Sequence, residues 1–401
     1  MKIAVVGTGT AGILSLSFLL AYPTSPIEVY SIHNPKKPIL GVGESTSTQI
    51  PTTLYDAINF SLLEDSQELD ATLKLGVKFS DWREKDFYGH ITPVSYGIHF
   101  DNQSLKEFAF KRFEELYDNF HIIHGNVDKI ESKDNKSLVF LDGDKVAIFD
   151  YVIDCGGYPD DYADYNICKY ISLNSCLVHN TKPQKFNYTH HKATPNGWMF
   201  GIPLQSRQSW GYLYNDTITS KEESVSNFKT YFDDIEESNL KEFKFKSYSA
   251  KQFFDGRVLK NGNRAFFYEP IEAFSGFMYQ SILKFFCEYL YCGASLDEVN
   301  ENIGHIANNI ELATCFIYHG GSIYDTPYWD YAKNISKEKL NTDIRWSYQV
   351  DALRSIKSEY NKQVKREGIG AYPAKIWLDF EKNLNYNLFY CFLFYFLVQV
   401  F

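Results

Sequence analysis

The chain lacks an apolar run long enough to cross a bilayer as a helix. Residues 388–398 are continuously apolar and aromatic, but a spanning helix needs about 20 such residues. A buried C-terminal element is the expectation there. It also lacks paired cysteines. Seven are scattered, at 155, 168, 176, 287, 292, 315 and 391, with no Cys-x-x-Cys. That excludes a zinc ribbon and a disulfide framework, so no metal site is expected and the thiols should be reduced. Positive charge is in deficit, with 40 Lys and Arg against 50 Asp and Glu, a net charge of −10 and a pI near 5.5. This argues against a nucleic-acid or anionic-membrane partner. No charged leader or apolar signal core precedes the first strand-like run, so a cytoplasmic protein is expected.

What is present is ample apolar material, 44% of 401 residues, with 30 Tyr and 32 Phe. Such a length can bury a large core as one domain or two interleaved ones. The first forty residues are the most ordered in pattern. Lys2 to Val6 is a short β-branched run, Gly7-Thr8-Gly9-Thr10-Ala11-Gly12 follows at once, and Ile13 to Ala21 is helical in pattern. A second strand candidate, Ile27 to Ile32, comes after Pro23 and Pro26. Strand, G-x-G-x-x-G, helix and strand in that order is the dinucleotide-binding fingerprint. Gly7 serves the tight turn, Gly9 the backbone's approach to a pyrophosphate and Gly12 the close packing of helix on sheet. Thr10 and Ala11 open the helix, whose N-terminus offers free N–H groups to phosphate. The acidic residue that usually holds a ribose hydroxyl is missing. Ser31 stands in its place, with His33 close by, so weak flavin affinity is expected.

Several later segments resemble one family, the flavin-dependent halogenases of the tryptophan-halogenase type. Trp198-Met199-Phe200-Gly201-Ile202-Pro203 is similar to their Trp-x-Trp-x-Ile-Pro signature, with Phe200 for the second Trp. Gly41-Val42-Gly43-Glu44-Ser45-Thr46 resembles the loop that covers the flavin, which brings in Gly43, Glu44 and Ser45. Asp150 to Tyr158 resembles the returning strand of the FAD domain. Thr72 to Trp82 resembles the segment that carries a catalytic Lys, here Lys78. Between Val77 and Phe79 that ammonium could be desolvated and its pKa lowered. Glu269-Pro270-Ile271-Glu272 resembles Glu-Pro-Leu-Glu, followed by one extra residue before Ser275-Gly276. Glu272 is then the family's carboxylate, with Glu269 as the alternative, and backbone N–H groups of Ser275 and Gly276 would hold the halide. His319 and the 325–329 run extend the likeness to about residue 329, and His319 is expected to be structural.

The resemblance implies an α/β fold, a Rossmann-like FAD-binding domain interleaved with a β-rich and helical substrate-binding part. Residues 1–330 would form the halogenase domain. Its FAD segments would lie near 1–50, 145–160 and 255–285, and its substrate part near 80–145 and 160–255. Residues 331–401, matched to nothing, would form a helical cap. The chain is short for that family and resembles a short viral member. By the same resemblance, reduced FAD (FADH2), oxygen and a halide ion (chloride, bromide or iodide) would give hypohalous acid. It would pass the wall of Trp198, Phe200, Ile202 and Pro203 to Lys78, which would present it to an indole- or phenol-type substrate with Glu272 assisting. The smaller Phe200 favours bromide or iodide over chloride. A separate flavin reductase is implied, because no second nucleotide fingerprint is present. The natural substrate and any homo-oligomer stay open. Two rivals remain at this point, a flavin-dependent aromatic monooxygenase and a flavin-binding protein without catalysis.

Overall fold

The computed structural model describes residues 1–346 apart from 40, 42–43, 92–94 and 234. Gly43, the 388–398 stretch and most of 331–401 therefore lie outside the described residues. A six-stranded sheet runs, in spatial order, 254–255, 258–260, 151–154, 2–6, 28–33 and 120–124. All neighbours are parallel except the edge pair 254–255 with 258–260. Parallel sheets must be covered on both faces. Here the helices Thr10–Ala21 and Phe274–Cys287 share one core with the sheet. On the other face a three-stranded meander, 127–149, packs Val139, Leu141 and Phe149 against Ala4, Val6, Ile32 and Val152. Its turns at Asp134-Asn135 and Asp142-Gly143 have positive φ at both central residues, the backbone that tight hairpins require.

A seven-stranded sheet, ordered 241–244, 175–181, 208–214, 197–203, 189–194, 76–80 and 87–90, forms the second body of the fold. The strand Gly197–Pro203 is buried along its whole length. Trp198, Phe200 and Ile202 enter the main core, while Met199 faces a smaller cluster with Trp210, Tyr212 and Phe228. Alternation along the strand thus feeds two different cores. Between the two large sheets lies a small one made of Glu44–Ser45, Gly97–Phe100 and Thr72–Lys74. The helix Leu296–His319 opens with a Ser295–Glu298 capping box, each side chain bonding the other's backbone. Among the described residues no helix is long and apolar enough to cross a membrane. The six described cysteines are unpaired, and no described cluster of three or more His, Cys, Asp or Glu could hold a metal.

Candidate active site

The nucleotide turn follows the first strand where the sheet order diverges, with strand 28–33 on one side and 151–154 on the other. Ligands of open α/β sheets bind in that crevice. Gly7 has φ +96, and a Cβ there would lie 2.5 Å from the Cys155 carbonyl oxygen; at Gly12 it would lie 2.1 Å from the Gly7 carbonyl oxygen. Around Gly9 there is nothing within 4 Å. Two glycines are therefore needed for packing and the third keeps a space open. The helix that begins at Thr10 has Gly9 as its N-cap and no side chain capping it, so its first N–H groups are free for an anion. These features fit a dinucleotide pyrophosphate.

Thr10 Oγ1 donates to Asn102 Oδ1 at 2.5 Å, and Asn102 Nδ2 donates to Glu44 Oε1 at 2.7 Å. Asn102, which sequence reasoning missed, ties the nucleotide turn to the loop expected to cover the flavin. Burial pushes the Glu44 carboxyl up to about 7. Ser45, the neighbouring loop residue, shares a hydrogen bond with Thr189 at 2.8 Å. Ser31 does not end the second strand. It is fully buried within the strand, and His33 is the residue at the strand's end. The two are joined at 3.3 Å, Ser31 Oγ to His33 Nδ1. The reason is strand length, since pairing to 120–124 carries the strand through His33. Burial first, then the nearby Lys106 and His124, push the imidazole of His33 down to about 4.

The lysine expected to be catalytic is not where the carboxylate is. Lys78 forms an ion pair with Asp86 at 2.8 Å and is 23% exposed. The hydrogen bond to Asp86 raises its pKa, the reverse of the expected shift. Four residues earlier, Lys74 is 4% exposed and donates from Nζ to the Thr46 carbonyl oxygen at 2.9 Å. Burial lowers its pKa while the charge of Glu272 raises it; Glu272 is raised by burial and lowered by Lys74. Of the two lysines, Lys74 is thus the one whose charge acts on Glu272. Gly76, between the two lysines, has φ +150, and a Cβ there would lie 2.0 Å from the Gly89 carbonyl oxygen. At this break the chain leaves the small sheet and joins the seven-stranded one.

Glu272 and Ala273 both have left-handed backbones, φ 57 and 54. The chain turns sharply and enters the helix Phe274–Cys287, whose start is uncapped by any side chain. The N–H groups of Ser275 and Gly276 lie in its first turn, as an anion site requires. Glu272 Oε1 is buried without a hydrogen-bond partner.

The aromatic strand is hydrogen-bonded to the segments that carry Lys74 and Glu272. Thr72 Oγ1 donates to the Pro203 carbonyl oxygen at 2.6 Å. Trp198 Nε1 donates to the Tyr318 hydroxyl at 2.6 Å, and that hydroxyl donates to Glu269 Oε1. Trp198, Phe200 and Ile202 are all 6% exposed or less. Glu269 is held by the wall rather than by a lysine, and burial pushes it up to about 8. A carboxyl kept protonated by folding stabilises most below its unfolded pKa and loses that contribution as pH rises through the folded value. Relative to Glu269→Gln, the wild type should lose stability between about pH 4.5 and 8, with a steepest slope of about 1.4 kcal/mol per pH unit. Denaturant midpoints of the two proteins across that window would measure it, and parallel curves would refute it. His319 closes the helix Leu296–His319, and burial lowers its pKa.

A Rossmann-like parallel sheet and an open phosphate cradle define a dinucleotide-binding fold. The chain belongs to the tryptophan halogenase family, whose profile matches residues 2–91 and 84–365. Tryptophan 7-halogenase RebH of Lentzea aerocolonigenes is 21% identical over 68% of this chain and 66% of its own length. Tryptophan 6-halogenase ThaL of Streptomyces albogriseolus is 20% identical over 97% of this chain and 88% of its own. Among solved structures, the tryptophan 6-halogenase SttH from Streptomyces toxytricini superposes with a TM-score of 0.75 at 18% identity, covering 88% of this chain and 84% of that one. BrvH, a flavin-dependent halogenase from Brevundimonas sp. BAL3, gives 0.74 at 15% identity, covering 87% and 84%. The fold is that of flavin-dependent halogenases, and family membership favours this class over the aromatic monooxygenase.

Proposed function

We propose that this protein halogenates an electron-rich aromatic compound, with Lys74 and Glu272 as the residues at the reacting atoms. The observation that carries this reading is that Lys74 and Glu272, two buried groups that feel each other's charge, lie on segments hydrogen-bonded to the Trp198–Pro203 wall through Thr72 and Glu269. Reduced FAD, held by Gly7, Gly9, Thr10, Ala11, Gly12 and the Glu44–Ser45 loop, would with oxygen and halide supply hypohalous acid. The N–H groups of Ser275 and Gly276 would hold the halide. The wall keeps the organic substrate from the flavin side while small species pass. Burial enlarges the neutral fraction of the Lys74 amine, which can hydrogen-bond hypohalous acid or attack it, forming N–X and releasing water. Transfer of X to the ring leaves a cation. Glu272 would stabilise that cation and take its proton.

The test is mass spectrometry of indoles and phenols incubated with protein, FAD, a flavin reductase, NADH and chloride, bromide or iodide. Halogenated product that requires halide supports the reading, whereas oxygenated product without halide would return the monooxygenase. Phe200 leaves less bulk in the wall than Trp would, so bromide or iodide should outcompete chloride. Phe200→Trp should move that preference toward chloride, and an unchanged ratio would remove Phe200 from the halide path.

His33 is the proposed ribose neighbour in place of Ser31. A neutral imidazole there lacks the charge-assisted bond a carboxylate makes. His33→Glu, set beside Lys106 and His124, should tighten FAD binding by about tenfold, a change of about 1.4 kcal/mol. Flavin fluorescence titration measures it, and equal or weaker affinity would exclude the contact.

A further inference from the structure

His99 is fully buried and lies opposite both Ser45 and Thr72 in the small central sheet. Its ring is bonded on both sides, Nδ1 to Thr72 Oγ1 at 3.0 Å and Nε2 to Thr189 Oγ1 at 2.9 Å. The protons in this chain of bonds can be assigned by exclusion. Thr72 has one hydroxyl proton, and it goes to the Pro203 carbonyl oxygen at 2.6 Å. The Thr72 oxygen must then accept from His99, so Nδ1 carries a proton. A second proton on the ring is opposed by burial and by the charge of Lys74, the charged group that faces it. Nε2 is therefore an acceptor and takes the Thr189 hydroxyl proton. With that proton used, the 2.8 Å contact between Ser45 and Thr189 is donated by Ser45. Every hydroxyl and both ring nitrogens are satisfied in one direction, from Ser45 through Thr189, His99 and Thr72 to Pro203.

The two ends of this chain belong to parts far apart in sequence. Ser45 sits in the loop proposed to cover the flavin, and that loop is stitched to the His99 strand by Thr46 N to Ile98 O at 3.0 Å and Ile98 N to Thr46 Oγ1 at 2.8 Å. Pro203 ends the aromatic wall. Thr72 is two residues from Lys74, and Thr189 pairs with Val77 in the seven-stranded sheet. A carbonyl at the far end cannot pass a proton on, so the chain is not a proton conduit. What it does is fix distances.

We infer that His99, in its Nδ1–H form, is a positioning residue that latches the flavin-covering loop to the halide wall and holds the Lys74 strand between them. The functional half of this inference rests on the halogenase reading above; the arrangement of protons does not. With the latch intact, oxidant leaving the flavin side would meet Lys74. With it broken, the loop would shift against the wall and oxidant would escape into water.

The test has two parts on the full chain. Nitrogen-15 NMR of the imidazoles at pH 7, with His99 assigned by its loss in His99→Gln, should show a protonated Nδ1 and an unprotonated Nε2. A protonated Nε2 would overturn the inference whether or not the protein is active. Thr189→Val removes the hydroxyl and Thr189→Ser restores it. The Val variant should weaken FAD binding at least about fivefold and lower halogenated product per flavin oxidised by a similar factor. The Ser variant should stay within about twofold of wild type in both. Equal behaviour of the two variants would also overturn it. A wild type that binds FAD with the expected tautomer but halogenates nothing would count against the halogenase reading alone, because FAD affinity still reports on the latch.

Discussion

Lys74→Ala is expected to lower the turnover for halogenated product by about 100- to 10,000-fold, the usual worth of a positioned acid, base or nucleophile. Lys78→Ala should stay within about threefold of wild type, because an exposed ion pair contributes little. The contrast is physical. Lys78 is held by Asp86 at the surface, so its amine stays charged and in contact with water. Lys74 is buried with Glu272 as its charged neighbour, and burial makes its neutral, nucleophilic form accessible. FAD affinity should be unchanged in Lys78→Ala, whereas Lys74→Ala also removes the bond to the Thr46 carbonyl in the flavin-covering loop, so turnover is compared at saturating FAD. Single-turnover assays with bromide and an indole, read by mass spectrometry, would measure the difference. Loss of product in Lys78→Ala with activity retained in Lys74→Ala would move the chemistry out of the buried site and discard the mechanism proposed here.

Glu272→Gln keeps the shape of the side chain and removes its charge and its basicity. A turnover loss of about 100-fold is expected, from a lost proton acceptor and a lost stabiliser of the ring cation. The pH profile carries more information than the loss itself. In the wild type the Glu272 charge raises the pKa of Lys74, against burial, which lowers it. Without that charge Lys74 gives up its proton at lower pH. If the neutral amine is the reactive form, the rising limb of the residual activity should move to lower pH in the variant. Movement to higher pH, or full activity, would remove Glu272 from the reaction. The backbone at this position is left-handed for two residues, so Gln is preferable to β-branched replacements, which would add strain.

Much of this site was legible because its signals are contiguous. The fingerprint Gly7 to Gly12 is one turn between a strand and a helix, and each glycine's role follows from backbone geometry over six residues. The wall residues Trp198 to Pro203 likewise lie on one strand, whose alternation assigns Trp198, Phe200 and Ile202 to one core. The extra residue after Glu272 was visible in the sequence, but the left-handed backbone of Glu272 and Ala273 was not. The second strand ends at His33 rather than Ser31 because pairing to a distant strand, 120–124, sets its end. His99, Asn102 and Thr189 gave no local signal, since each acts by joining segments that only folding brings together.

The sequence by itself determined the family and the glycine turn after the first strand, and named the Trp198–Pro203 strand and Glu272 as candidates, because each is carried by residues adjacent along the chain. Only the tertiary structure decided which lysine's charge acts on that carboxylate. Lys74 and Lys78 are four apart, and on an unbroken strand they would share a face. Gly76, at φ +150 and pressed against the Gly89 carbonyl, ends that strand. The chain passes from one sheet to another, and the two ammonium groups part, one into the core where it feels the charge of Glu272 and the other, partly exposed, against Asp86.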